Sequence, residues 1–194
     1  MLRIWGTPTR AKVVSDARPA MLAASGRYKI ANAVMLKAAW LCSVLGGIYY
    51  GMPALAAMFA LSLWQREFSR DRPFVIALGL IGLCLDTFWM YAGVLDYGDA
   101  ALTLAPGLSI APAWILLLWL AVGLSIRHSL IFFVNRPALG ALLVGCGAPL
   151  SYLTGESFGA VTIPSAQGLV VLALIWVILF FLVFSWGKTR LTDE

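Results

Sequence analysis

The sequence predicts an all-α fold, a polytopic transmembrane helical bundle of about six spans with both termini in the cytoplasm. Three observations carry that expectation. Of the 194 residues, 61% are hydrophobic and only 12% are charged, against roughly 45–50% apolar and about 25% charged in a soluble domain. The excess is gathered in blocks of about 16–24 residues, the length a helix needs to cross a bilayer. The remaining charges separate by sign between alternate connections, as topology demands of a membrane chain.

Residues 1–30 form a basic tail, with Arg3, Arg10, Lys12, Arg18, Arg27 and Lys29 against Asp16. The tail lacks the apolar core and small-residue cleavage site of a secretory signal. It reads as a cytoplasmic segment, either lying on anionic lipid or disordered. Residues 31–194 form the membrane domain. Its first span covers 32–50, where Lys37 snorkels from the inner end. Ala39, Ser43, Gly47 and Gly51 make a small-residue stripe along that span. Gly51-Met52-Pro53 is expected to turn the chain into a short second span, 53–64, so that the two form an antiparallel hairpin.

A charged loop, 65–73, carries Arg66, Arg70 and Arg72. The third span, 74–95, contains Asp86 just past its middle and is thinned by Gly79 and Gly82. A polar connection with Asp96 and Asp99 leads to the fourth span, 112–134. Asn135-Arg136-Pro137 is a tight turn into the fifth, 138–153, where Ala141 with Gly145 and Gly147 with Ser151 allow close helix approach. Pro149 should kink that helix. A loop or re-entrant segment, 154–167, holds Glu156, and the sixth span, 168–186, is closed by Lys188 and Arg190. This arrangement places the tail, Arg66, Arg70, Arg72, Arg136, Lys188 and Arg190 inside. Asp96, Asp99 and Glu156 fall outside with no lysine or arginine.

The fourth span is the anomalous one, because Arg127 and the chain's single histidine, His128, stand within it. A charge at that depth is costly, which makes such residues candidates for function. At the helical rise, Asp86 lies roughly 18 Å from the inner end of its helix and Arg127 roughly 10 Å from the inner end of its own. Two extended side chains close most of that gap, so Asp86 is expected to face Arg127 or His128. Three readings follow: a buried tie that selects one packing, a polar cavity for a lipid headgroup or small anion, or a proton-transfer site. His128 either titrates near neutral pH or stays neutral on a backbone carbonyl. Trp119 shares a four-residue spacing with Gly123 and Arg127, a face suited to an apolar cavity capped by a cation. Trp40, Trp89, Trp119 and Trp176 lie within spans, whereas Trp64, Trp114 and Trp186 lie at span ends, as interfacial belts require. Near the outer face, Glu156 lies close in sequence to Tyr152. With Asp96 and Asp99 it makes either a cation-attracting patch or ordinary solvated loop carboxylates.

Several classes drop out. The net charge of +5 comes from dispersed basic residues that set topology, so no nucleic-acid partner is expected. Cys42, Cys84 and Cys146 have no CxxC spacing and read as buried small apolar residues, with neither a disulfide framework nor a metal site implied. One histidine excludes multi-histidine iron boxes and bis-histidine haem ligation. There is no GxSxG elbow and no P-loop. No cofactor is expected, no catalytic residue is assigned, and whether the chain is an enzyme stays open. No inverted repeat is visible, which weakens secondary transport.

Short motifs recur across the membrane domain. They are Asn32 with Trp40; Gly82-Leu83-Cys84-Leu85-Asp86 and Gly93; and Ala111-Pro112-Ala113-Trp114 followed by Leu118-Trp119. They continue with His128-Ser129-Leu130, then Gly147-Ala148-Pro149-Leu150-Ser151-Tyr152, and Gly155 to Gly159-Ala160. From Asn32 onward the chain thereby resembles a family of bacterial inner-membrane proteins catalogued as domain of unknown function 2878. The resemblance implies a multi-pass protein of the bacterial inner (cytoplasmic) membrane. It implies no activity and no catalytic residues, and a lipid-related role only through genes near enzymes of fatty-acid modification. The family pattern has a smaller polar residue where Arg127 stands, which moves the expected partner of Asp86 towards His128.

The expected function is binding of a lipid or amphiphilic small molecule in an intramembrane cavity between the third, fourth and fifth helices. The protein would be accessory to membrane-lipid modification or envelope maintenance. Asp86 and His128 would set the polar end with Arg127 assisting. Trp119, Trp89 and Tyr152 would line the cavity, and Glu156 completes the candidate set on the outer side. The alternatives are a small transporter or proton-coupled permease, and a structural subunit packed against a membrane-protein partner or a second copy of itself.

Overall fold

The computed structural model describes the backbone of residues 10–192 and the side chains of residues 26–192. The expected role of the basic tail therefore falls largely outside the described residues. The helices are α1 (Arg10–Trp64), α2 (Phe68–Tyr91), α3 (Ala113–Gly123), α4 (Ile131–Val134), α5 (Pro137–Ser157) and α6 (Ala166–Thr192). Between α2 and α3 lies a short antiparallel hairpin, β1 (Leu102–Ala105) and β2 (Leu108–Ile110).

Four helices among the described residues are long and apolar enough to cross a membrane: Gly26–Trp64, Phe68–Tyr91, Pro137–Ser157 and Ala166–Thr192. The most apolar stretch of each is only 22% to 39% buried inside the protein. Leu41, Leu80, Leu150, Leu174 and Ile178 are among the large side chains left facing outward. An apolar exterior on this scale is a liability in water and the ordinary surface of a protein in lipid.

α1 is not one straight rod. Gly46 (φ −143°, ψ 18°) and Gly47 (φ 61°, ψ −147°) leave the helical region, and the left-handed φ at Gly47 is one that glycine adopts without a Cβ penalty. The polar contacts show how sharply the chain bends. Asn32 bonds Ser129, and Ser62 bonds Asp71, which in turn contacts His128, the neighbour of Ser129. A straight helix would separate Asn32 from Ser62 by about 45 Å, so residues 10–45 and 48–64 must be two legs folded back on each other. The expected hairpin is therefore present, but its turn is Gly46-Gly47 rather than Gly51-Met52-Pro53. Gly51 and Pro53 lie inside the second leg, where the bare Gly51 admits the Ser43 side chain from the first. Asn32, Ala39 and Ser43 on one leg, and Gly51, Leu55, Met58 and Ser62 on the other, form the buried stripes.

Three further expectations change. α2 begins at Phe68, so most of the charged loop is helix, with Pro73 near its start, where a missing N–H is tolerated best. The fourth span is not continuous, because α3 stops at Gly123 and irregular turns occupy residues 124–130 before α4. Finally, Cys84 and Cys146 face outward instead of being buried.

α2 and α3 pack antiparallel at close range. A β-carbon on Gly123 would stand 2.6 Å from the Val75 Cα and 3.0 Å from the Phe74 carbonyl oxygen, so glycine sets that approach. α3 also packs on α1, while α5 and α6 form a second tight pair. The core between these two groups is aromatic, with Trp119 edge-on to Trp176 and Phe74 against Trp186.

Candidate functional site

The buried face of α2 comprises Asp71, Phe74, Val75, Leu78, Gly79, Gly82, Asp86 and Trp89. It is a single helical stripe with a carboxylate near each end. Both carboxylates are completely buried, at 0% exposure, and they stand about 22 Å apart along the axis. Each has its own partners, and this overturns the expected pairing of Asp86 with Arg127 or His128.

Asp86 accepts three short hydrogen bonds. The Tyr97 hydroxyl donates to Oδ1 at 2.7 Å, the Tyr152 hydroxyl donates to the same oxygen at 2.8 Å, and the Trp119 indole Nε1 donates to Oδ2 at 2.7 Å. Local structure delivers each donor. Gly93 takes φ 68° after the end of α2, so the chain doubles back and Val94 and Leu95 bond the Trp89 carbonyl. That fold places Tyr97 over Asp86. Trp119 lies flat against Gly82, where any side chain would collide with the indole. Tyr152 arrives from α5, beyond Pro149. Burial first, and then the adjacent Asp86 charge, push the Tyr97 phenol well above its usual value. Tyr97 therefore stays protonated and donates. All three partners are neutral donors, so none of them brings a counter-charge to Asp86.

Asp86 forms part of the wall of a cavity of about 200 Å³ between α1, α3, α5 and α6. An engineered apolar cavity of about 150 Å³ already holds benzene, so this one admits a small organic group. Trp40, Trp114, Trp119, Tyr152, Trp176 and Phe180 supply its aromatic lining. Trp119 meets Trp176 at 82° and 5.2 Å, and lies near parallel to Phe180 at 6.2 Å.

At the other end of the α2 stripe, Asp71 gathers Arg127 and His128 from the irregular segment 124–130. His128 Nε2 lies 3.0 Å from Oδ2, Ser62 donates to the same oxygen at 2.6 Å, and Arg127 Nε lies 3.9 Å from Oδ1. Glu67 approaches Arg127 at 3.8 Å and Arg70 at 3.2 Å. The irregular backbone at 124–130 is supported from α1. Asn32 donates to the Leu124 carbonyl at 3.1 Å, and its own oxygen accepts from the Ser129 hydroxyl at 2.6 Å. Ser125 donates back to the Ala121 carbonyl at 2.8 Å, a contact that bends helices. Buried backbone outside a regular helix needs such partners.

Of the expected site residues, the structure thus unites Asp86, Trp119 and Tyr152. It moves Arg127 and His128 to Asp71. Trp89 is buried beside this site but lies off the cavity wall. Glu156 accepts the Ile163 amide at 2.8 Å, and Asp96 accepts the Gly98 amide at 2.8 Å, so both brace loops. Asp96 also pairs with Thr162 through backbone bonds that tie the two loops at this end together. Sequence reasoning missed Asp71, Ser62, Glu67 and Tyr97. Only Asp71 carried a usable signal, its helical spacing from Val75, Leu78 and Gly82.

A family model described as "Protein of unknown function (DUF2878)" matches residues 29–182. No curated protein and no solved structure matches the chain.

Proposed function

The chain belongs to the DUF2878 family, and on that premise we propose that it holds a lipid or amphiphilic small molecule in the cavity beside Asp86. The observation that carries this reading is an aromatic cavity with a buried carboxylate on its wall. Binding sites are characteristically concave, mostly apolar and equipped with a few convergent polar groups. In this reading the chain crosses a bacterial inner membrane six times, each leg of α1 and the α3–α4 segment counting as one crossing. Both termini then lie on the cytoplasmic side with the basic residues, in keeping with the positive-inside rule. A role as accessory to membrane-lipid modification or envelope maintenance fits such a cavity.

Native mass spectrometry and lipid analysis of the purified protein test the reading. Wild type should retain a small hydrophobic molecule that Ala148→Phe, which fills the cavity, releases. If wild type carries no adduct after gentle extraction, cavity binding is the wrong account.

A second reading, a proton-coupled permease, rests on the broken helix at 124–130 beside Asp71, with Asp86 as a second carboxylate farther along the same α2 face. Interrupted helices mark ion and substrate sites in transporters. Proteoliposomes loaded with a pH-sensitive dye should then show proton entry that Asp86→Asn abolishes. A trace indistinguishable from protein-free vesicles removes this reading.

A further inference from the structure

We propose that the ligand group received by the Asp86 cavity is cationic, a small ammonium. This rests on the cavity-binding reading and sharpens it. Three observations point the same way.

First, among the described residues every partner of Asp86 is a neutral donor: two phenols and one indole. Arg127 and His128 are engaged with Asp71 and Glu67 instead. Among the described residues a carboxylate is thus buried in a cavity wall with no cationic side chain bonded to it. Buried charges are normally paired, and a cationic ligand group would complete the pair.

Second, the walls suit a cation. Trp119 and Trp176 stand almost perpendicular, with Phe180 near parallel to Trp119. Perpendicular aromatic walls are the geometry that receives quaternary and methylated ammonium groups through ring faces. A neutral apolar ligand would be served equally well by leucine and valine.

Third, the two features are linked through bonds. Trp119 and Tyr152, which line the cavity, are also the residues whose N–H and O–H donate to Asp86. Donation to a carboxylate pushes electron density back into the ring, and polarised networks of this kind strengthen each member. The ring faces thereby become more attractive to a positive charge. A volume of about 200 Å³ accommodates a trimethylammonium-sized group and excludes a whole phospholipid. The cation is therefore either a free small amine or the head of an amphiphile whose chain stays in the bilayer.

The test uses three water-soluble probes of one shape: choline, its uncharged carbon analogue 3,3-dimethylbutan-1-ol, and the anion 3,3-dimethylbutanoate. The full chain in a neutral detergent is titrated by calorimetry and by the fluorescence of the wall tryptophans. Choline is expected to bind about tenfold tighter than the alcohol, with the anion weakest. Asp86→Asn should erase most of that preference while leaving the affinity for the alcohol in place. Trp176→Leu removes a wall and none of the donors to Asp86. It should weaken choline about fivefold and the alcohol far less, which keeps the test decisive if Asp86→Asn does not fold. Equal affinity for choline and the alcohol overturns the cationic assignment while cavity binding survives. Failure of all three probes to bind wild type overturns cavity binding as well. A preference unchanged in both variants overturns the site assignment. Dodecyltrimethylammonium, tested below its micellar concentration, separates the two sources. A large gain over choline assigns the cation to an amphiphile, and no gain assigns it to a free amine.

Discussion

Asp71→Ala is expected to cost about 3–5 kcal/mol of stability, the typical penalty for breaking a buried ion pair from one side. The carboxylate is fully buried, and the side chains that depend on it are nearly so: Arg127 is 9% exposed and His128 12%. Its removal takes the acceptor from Ser62 and the partner from His128, and withdraws the carboxylate beside Arg127. Glu67 also lies near Arg127, but at 3.8 Å and partly solvated it compensates little. Chemical unfolding in detergent micelles, followed by tryptophan fluorescence, measures the loss. The triple change Asp71→Leu, Arg127→Leu, His128→Leu should recover much of it. Replacing a whole buried ionic cluster by apolar residues is often neutral or stabilising. A single-variant loss under about 1 kcal/mol, the range of an exposed pair, would mean that water reaches Asp71 and that the cluster is not a buried tie.

The same residue shows where the sequence could be read and where it could not. Hydropathy finds spans because lipid-facing and core-facing surfaces are both apolar, and so the blocks around Asp86 and Trp119 stand out. Asp71 lies between Arg70 and Arg72, where the local composition is that of a loop. Only extending the stripe of Val75, Leu78 and Gly82 backwards by one turn reveals that it faces inward. Arg127 and His128 stand out in their apolar run, but a continuous helix there points to the wrong partner for them. Gly123, Ser125 and the contacts from Asn32 end that helix early, and the depth reckoning fails with it. The turn at Gly46-Gly47 competes in sequence with an equally plausible Gly51-Met52-Pro53, and only the packing of Ser43 on Gly51 decides between them. The β-hairpin had its signal: Pro106-Gly107, with Gly107 at φ 79°, is the proline–glycine pair of a type II turn. Tyr97 had none, because its approach to Asp86 depends on the reversal at Gly93.

Asp86→Leu should be the second most damaging change, at about 3 kcal/mol or more. Each buried donor left without an acceptor costs about 1–3 kcal/mol, and the values need not add in full. Leucine fills the space of the carboxylate yet orphans two hydroxyls and an indole N–H at once. The donors will not suffer equally. The tyrosine hydroxyls can rotate and bond elsewhere, whereas the indole N–H has a fixed direction and can only donate. Asp86→Asn keeps one acceptor oxygen and should cost less than half as much, provided that this oxygen faces Trp119. Double-mutant cycles with Trp119→Phe, Tyr97→Phe and Tyr152→Phe apportion the network. The largest coupling is expected for Trp119, because the rigid donor gains most from a fixed acceptor. That outcome would also explain the geometry around it: Gly82 is bare so that the indole can lie flat, and an indole held flat delivers its N–H to Asp86. Coupling energies near zero for all three donors would show that Asp86 is satisfied by water instead, and the aromatic wall would then owe nothing to the carboxylate.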